Sequence, residues 1–260
     1  MTSKKIIMIV VACLLFGFLL PAVTFAQDTA TTPTETTDSG SGVKKRPHPR
    51  EAYPPDQRPE ENYLARFKAI EISQKLMDSN IEDIYMLNVI VSNFKDQGWK
   101  EDYDKIYDEY KKAVSKYYRR EVIYSRLELE RNKKNINNLF RKVYDVYQNQ
   151  AQDLLDQCAD KIMDFDLDES NKYDPNRSRV LFQNMTRLWI AYGQIDDAES
   201  SNIDNQFKAS VYHIRIAKSY AIKILEQLDP KGSEGDKFKV HKADNLNRIL
   251  TASSSDSATK

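Results

Sequence analysis

Residues 99–165 read WKEDYDKIYDEYKKAVSKYYRREVIYSRLELERNKKNINNLFRKVYDVYQNQAQDLLDQCADKIMDF, 67 residues with neither proline nor glycine. Apolar side chains recur every three or four positions: Tyr103, Tyr107, Tyr110, Val114 and Tyr117, then Ile136, Phe140, Val143, Tyr147, Ala151, Leu154, Cys158, Ile162 and Phe165. That is the stripe of an amphipathic helix, or of two in succession, with charge on the remaining positions. The polar run Arg131 to Asn138 surrounds a single Ile136. Asparagine competes with the helix through local side-chain hydrogen bonds, so a turn or kink is expected near 131–136.

Working outward, the stretch ends in the polar segment Asp166 to Tyr173. Asp174-Pro175 then reads as a cap and first helical residue. Leu181, Met185, Leu188, Trp189 and Tyr192 make the next stripe, with Gly193 expected to close it and Trp189 expected to be buried. A last strong helix spans about Asp204 to Asp229, through Phe207, Val211, Ile214, Ala217, Ala221 and Leu225. A short amphipathic piece follows at Phe238 to Leu250. Before the central stretch, one helix is expected from Pro59 to Asp78, with Leu64, Phe67, Ile70 and Met77 on one face. A second is expected to start at an Asn80 cap and to end at Gly98. No segment alternates with period two, so the class is all-α, an elongated bundle of helical hairpins.

The ends bound the organisation. Lys4 and Lys5 precede an apolar run from Ile6 to Leu20, and Thr24-Phe25-Ala26 supplies small residues for cleavage before Gln27, as in a secretory signal. Residues 27–59 are a Thr-, Ser- and Pro-rich linker expected to be disordered, with a basic knot at Lys44-Lys45-Arg46. The helical domain is expected over 60–230, and a short helix and disordered tail over 231–260. Cleavage removes two of 39 basic residues and none of 39 acidic ones, leaving a net charge of −2. That balance excludes bulk attraction to nucleic acid, and after cleavage no membrane insertion is expected. Seven glycines in 260 residues supply few of the turns that phosphate loops need.

No catalytic pattern emerges. The three histidines, His48, His213 and His241, share no metal-ligand spacing with one another or with a cysteine, and no GxSxG or Cys–His arrangement supports a nucleophile. Asp164, Asp166 and Asp168 alternate like the start of a calcium loop. The glycine and glutamate that loop requires are replaced by Glu169 and Pro175, or by Asn171 and Arg177 in the shifted register. A solvated acidic turn is the plainer reading, so no metal, cofactor or enzymatic activity is expected. Cys158, alone after signal removal, sits on the apolar stripe and reads as a small buried hydrophobe.

The tyrosines carry the functional expectation. Tyr107, Tyr110 and Tyr117 mark the stripe, and Tyr118 and Tyr124 extend it to one side. Tyrosine offers a large apolar body with a polar tip, which suits a partner-facing surface. These five residues are therefore the candidate protein-interaction face.

Two resemblances add to this reading. Phe94, Gly98, Tyr103, Tyr107 and Tyr110 are spaced like positions of a tetratricopeptide repeat, and Phe182, Met185, Trp189, Gly193 and Ala198 make a second, partial match. The signal ending Phe25-Ala26-Gln27, the linker, and the long Tyr-, Lys-, Asn- and Asp-rich helices together resemble the periplasmic flagellar sheath, or flagellar-coiling, proteins of spirochaetes. That resemblance implies a non-enzymatic structural subunit on the periplasmic flagellum, concerned with motility. Its partners would be filament or sheath proteins, and self-association is possible on the same grounds. The alternative is a repeat-like periplasmic adaptor or chaperone that binds peptides.

Overall fold

The computed structural model describes residues 49–171, 173–230 and 235–250. The signal segment, its cleavage site, the linker as far as His48, the basic knot and the tail from Thr251 lie outside the described residues. Six helices follow in order: α1 Tyr63–Asn93, α2 Lys100–Tyr118, α3 Val122–Leu167, α4 Arg177–Ile203, α5 Phe207–Leu228 and α6 Asp236–Asn245. Among the described residues every regular element is helical, so the chain is all-α. α3 is shared by two groups: α1 and α2 pack on it together, as do α4 and α5, while α6 lies against α5 and α1.

α1 begins at an Asn62 cap, whose Oδ1 accepts from the Ala65 amide at 2.7 Å. It is one helix of 31 residues, where two were expected. Asn80 caps nothing. Its buried Nδ2 donates to the Leu129 carbonyl at 3.0 Å and to Asn132 Oδ1 at 3.1 Å, both on α3. Those two bonds aim the amide across the core, and its Oδ1 accepts from no backbone amide of α1.

The same knot corrects the expected break at 131–136. α3 runs unbroken for 46 residues, roughly 70 Å at 1.5 Å per residue. Asn132 Nδ2 donates to the Ile106 carbonyl of α2 at 2.8 Å, Lys133 pairs with Asp83 at 2.6 Å, and Asn135 donates to Glu109 at 2.6 Å. The polar residues that read as a turn are instead a row of tertiary contacts.

The chain turns earlier, at Arg119–Glu121. Arg120 takes φ +65°, and the Glu121 amide reaches back to the Lys116 carbonyl at 3.0 Å while the Arg120 amide bonds Tyr117 at 2.9 Å. This is a Schellman closure built without glycine. Asn205 at φ +59° and Asn247 at φ +53° close α4 and α6 in the same way. Among the described residues glycine takes this conformation once, at Gly98 with φ +70°; the expected helix end there is corrected, since α1 stops at Asn93 and Gly98 closes the 3₁₀ turn Lys95–Gln97 that follows it. α1 and α2 form the first repeat-like hairpin. The second does not form, because α4 passes straight through Gly193.

α4 also corrects the expected burial of Trp189, which is 75% exposed beside Phe182 at 74%. The face turned to the core carries Asn184, Ala191, Ile195 and Ala198, with Leu181, Leu188 and Tyr192 half-buried. The helix has two apolar stripes, and small residues take the inner one. Leu64 and Phe67 on α1 are likewise more than half exposed. Within the segment expected as a linker, the described residues from Pro49 carry two 3₁₀ turns, and Tyr53 docks on the α2–α3 corner. Its hydroxyl donates to Glu128 at 2.6 Å, and its ring lies 5.2 Å from that of Tyr124.

We predict that Asn132→Ala lowers stability by about 1–3 kcal/mol, because it leaves an amide hydrogen of buried Asn80 without its Asn132 acceptor and removes the buried bond that joins the knot to α2, while the Ile106 carbonyl keeps its intrahelical partner. Trp189→Ala, on the exposed stripe, should change stability by less than about 0.5 kcal/mol. Denaturant titration at low protein concentration checks both, and the reverse order would refute the two-stripe assignment of α4.

Candidate functional site

The five tyrosines do not share one face. Tyr118 is 77% exposed, while Tyr117, half-buried, meets its ring edge-on at 5.8 Å. Tyr107 is partly exposed and stacks parallel to buried Tyr103, with ring centroids 6.3 Å apart and Lys111 Nζ 4.7 Å above it. Tyr110 turns inward, and its hydroxyl donates to the Met77 carbonyl at 3.2 Å. Burial pushes the Tyr103 and Tyr110 phenols upward. Tyr124 is only 4% exposed, covered by Tyr53, and its hydroxyl donates to Glu61. Burial, then that hydrogen bond, pushes its phenol to about 12. Tyr124 therefore belongs to the core. Removing it would cost stability, so it is no probe of an outer surface. Of the expected face, Tyr107 and Tyr118 remain available to a partner, with half-buried Tyr117 between them and the core.

A buried charge cluster was not foreseen. Arg215 and Lys218 stand one turn apart on the inner face of α5, where a periodic pattern reads them as solvated. Asp244 of α6, fully buried, accepts from Tyr147 at 2.7 Å and from Arg215 at 3.3 Å. Lys218 Nζ donates to Gln150 at 2.6 Å and lies 3.5 Å from the centroid of the Tyr147 ring. Burial is the largest influence on the amine and lowers it to about 7, against the opposing pull of Asp244. His241, held down to about 3 by burial and then by Lys218, sits 5.7 Å from the Phe94 ring. A cavity of about 390 Å³ opens beside them, lined by Asn93, Phe94, Gln150, Leu154, Phe238 and His241 among others. Lys218 and Asp244 do not line it. The cluster ties α6 to α3 and α5, and of its titratable side chains His241 is the one that lines the cavity.

The remaining candidates are quiet. Asp166 pairs with Arg177 at 2.5 Å, and Asp168 accepts from the Ser170 amide and hydroxyl, both at 2.8 Å. His213 is bonded to Gln194 at 3.0 Å. Cys158 is buried against the Ala221 carbonyl, and burial raises its thiol to about 12, so it is a core residue. Among the described residues no group of three or more His, Cys, Asp or Glu side chains stands close enough to hold a metal ion. None of their helices is long and apolar enough to cross a membrane.

α4 carries a stripe of exposed large apolar side chains. Phe182, Met185 and Trp189 line up along its outer side, and Met163 and Leu167 of α3 are more than half exposed nearby in sequence to Ile162 and Asp166. Between the two helices lies a groove of about 300 Å³ walled by Ala159, Ile162, Met163, Leu181, Leu188 and Trp189 among others. Comparison of the chain with protein-family models, with curated proteins and with solved structures finds no match.

The buried amine has a measurable consequence. In the unfolded chain Lys218 holds its proton to about pH 10.5, whereas in the fold it releases it near 7. Between those values the unfolded state binds the extra proton, so stability rises with pH. The slope approaches about 1.4 kcal/mol per pH unit and is clearest below about pH 10, where tyrosines begin to ionise. Asp244, Arg215, Tyr147 and His241 surround the amine and remain in place when it is removed. Lys218→Met should flatten the rise in denaturation midpoint between pH 7 and 9. An unchanged slope in that variant would assign the proton elsewhere.

Proposed function

We propose that this protein is a non-enzymatic, exported subunit of a protein assembly, and that the outer face of α4 is its principal docking surface. The observation that carries the reading is Trp189, three-quarters exposed in the middle of a well-formed helix, flanked by Phe182 and Met185 and bordering an apolar groove. Large contiguous apolar surface in contact with water marks an interaction site, and tryptophan is the side chain most enriched among residues that dominate binding energy. The signal-like N-terminus supports export to the periplasm. The resemblance to flagellar sheath proteins supports a filament or sheath as the assembly. Tyr107 and Tyr118 on α2 offer a second, smaller contact.

The test is cross-linked capture of partner proteins from the native exported fraction, with the full-length protein as bait. Trp189→Ser and Phe182→Ser should each lower partner recovery roughly tenfold or more, while Tyr118→Ala has a smaller effect. Circular dichroism of each variant confirms the fold. Recovery that depends on Tyr118 and not on Trp189 would move the docking surface to α2, and recovery indifferent to both would refute the reading.

A further inference from the structure

Resting on that reading, we infer that the occupant of the α4 face is a second copy of this chain, packed antiparallel about a two-fold axis. The outer side of α4 presents, in order, Arg179, Phe182, Met185, Trp189, Gly193 and Asp197, all exposed. Base stands at one end, acid at the other, and aromatic surface lies between. An isologous contact needs a surface complementary to itself, and an antiparallel pairing of this stripe meets that need.

The register follows from the spacing. A two-fold axis at the level of Leu188 sets Arg179 opposite the partner's Asp197, since each is nine residues from the axis. The same axis brings Phe182 to within one residue of the partner's Gly193. The two Trp189 side chains, one residue from the axis, meet at the centre. Successive members of the stripe lie three or four residues apart, so they share one side of the helix along its length.

Gly193 adds an independent observation. It lies mid-helix with no positive φ, and a Cβ built there would meet nothing within 4 Å. Neither backbone conformation nor packing within the chain calls for glycine, although glycine weakens a helix interior. A bare backbone on the exposed stripe makes a notch one side chain deep, and the partner's Phe182 is placed to fill it. Close approach of another backbone or ring is the ordinary reason for such a residue.

Within the described residues neither Arg179 nor Asp197 is used in an ion pair, and Asp197 accepts only from Gln194 at 3.0 Å. The more N-terminal Arg177, by contrast, is already held by Asp166. Arg179 and Asp197 are thus available to pair across the axis, and exposed Asp196 beside Asp197 adds to the acidic end of the stripe.

Sedimentation velocity of the full-length protein tests this directly. The wild type should dimerise in the micromolar range. Arg179→Asp and Asp197→Arg should each weaken the dimer about tenfold, because every cross-axis pair then carries like charge. Mixing the two variants should restore association near the wild-type level, since the heterodimer regains both opposite-charge pairs. Gly193→Leu should also lower dimer content while its helicity is kept. A monomer across that range would overturn the inference, as would a dimer unaffected by the charge variants or not restored by mixing. A monomer that still captures another protein through Trp189 would remove the second copy and leave the docking surface intact.

Discussion

Three helices are held in register by one buried polar knot. Asn132 of α3 donates to the α2 carbonyl of Ile106 and accepts from Asn80 of α1, which in turn donates to the α3 carbonyl of Leu129. Apolar contacts alone would tolerate a slide of α1 along α3, because leucine and isoleucine repack at small cost. A buried amide cannot slide, since each lost partner leaves a desolvated donor or acceptor. The knot therefore sets where Ile84, Leu87, Phe140 and Val143 meet in the core. It also lets α3 continue through a segment whose composition favours a turn, which carries the spine on to α4 and α5.

The far end of the bundle uses the same device with charge. Asp244, held by Tyr147 and Arg215, fastens α6 across α3 and α5, and Lys218 is buried beside it. Desolvating the ions offsets much of their attraction, so the cluster adds little net stability, although removing one member would strand the others as buried unpaired charge. Both knots lie on the inner faces of the helices. The apolar stripe of α4 lies outside, where no internal contact satisfies it, and that separation is the basis for reading it as a docking face.

Helical class, the turn at Gly98, the extent of α5 and the burial of Cys158 were all legible in the sequence, because periodicity and glycine chemistry are local. The turn at Arg120 was not legible, because a Schellman closure needs a left-handed residue but not glycine, and arginine carries no such signal. Asn132 misled for the opposite reason: its local preference for a cap was overridden by partners 26 and 52 residues away. Trp189 misled because α4 carries two apolar stripes, and periodicity cannot say which one small residues such as Ala191 and Ala198 allow to pack closely. Tyr124 was read as peripheral because the segment that covers it, around Tyr53, looked too rich in proline to order. Arg215 and Lys218 were hidden because nothing local announces a buried cation whose partner is 29 residues downstream.

The continuity of α3 across the polar knot is the claim on which the rest stands. Amide hydrogen exchange over residues 128–140 tests it directly. The account predicts that the amides of Lys133 to Asn137 are protected as strongly as those of Val143 to Tyr147, opening only with global unfolding. Exchange in that segment at the rate of an exposed turn, while Val143 to Tyr147 stay protected, would contradict it.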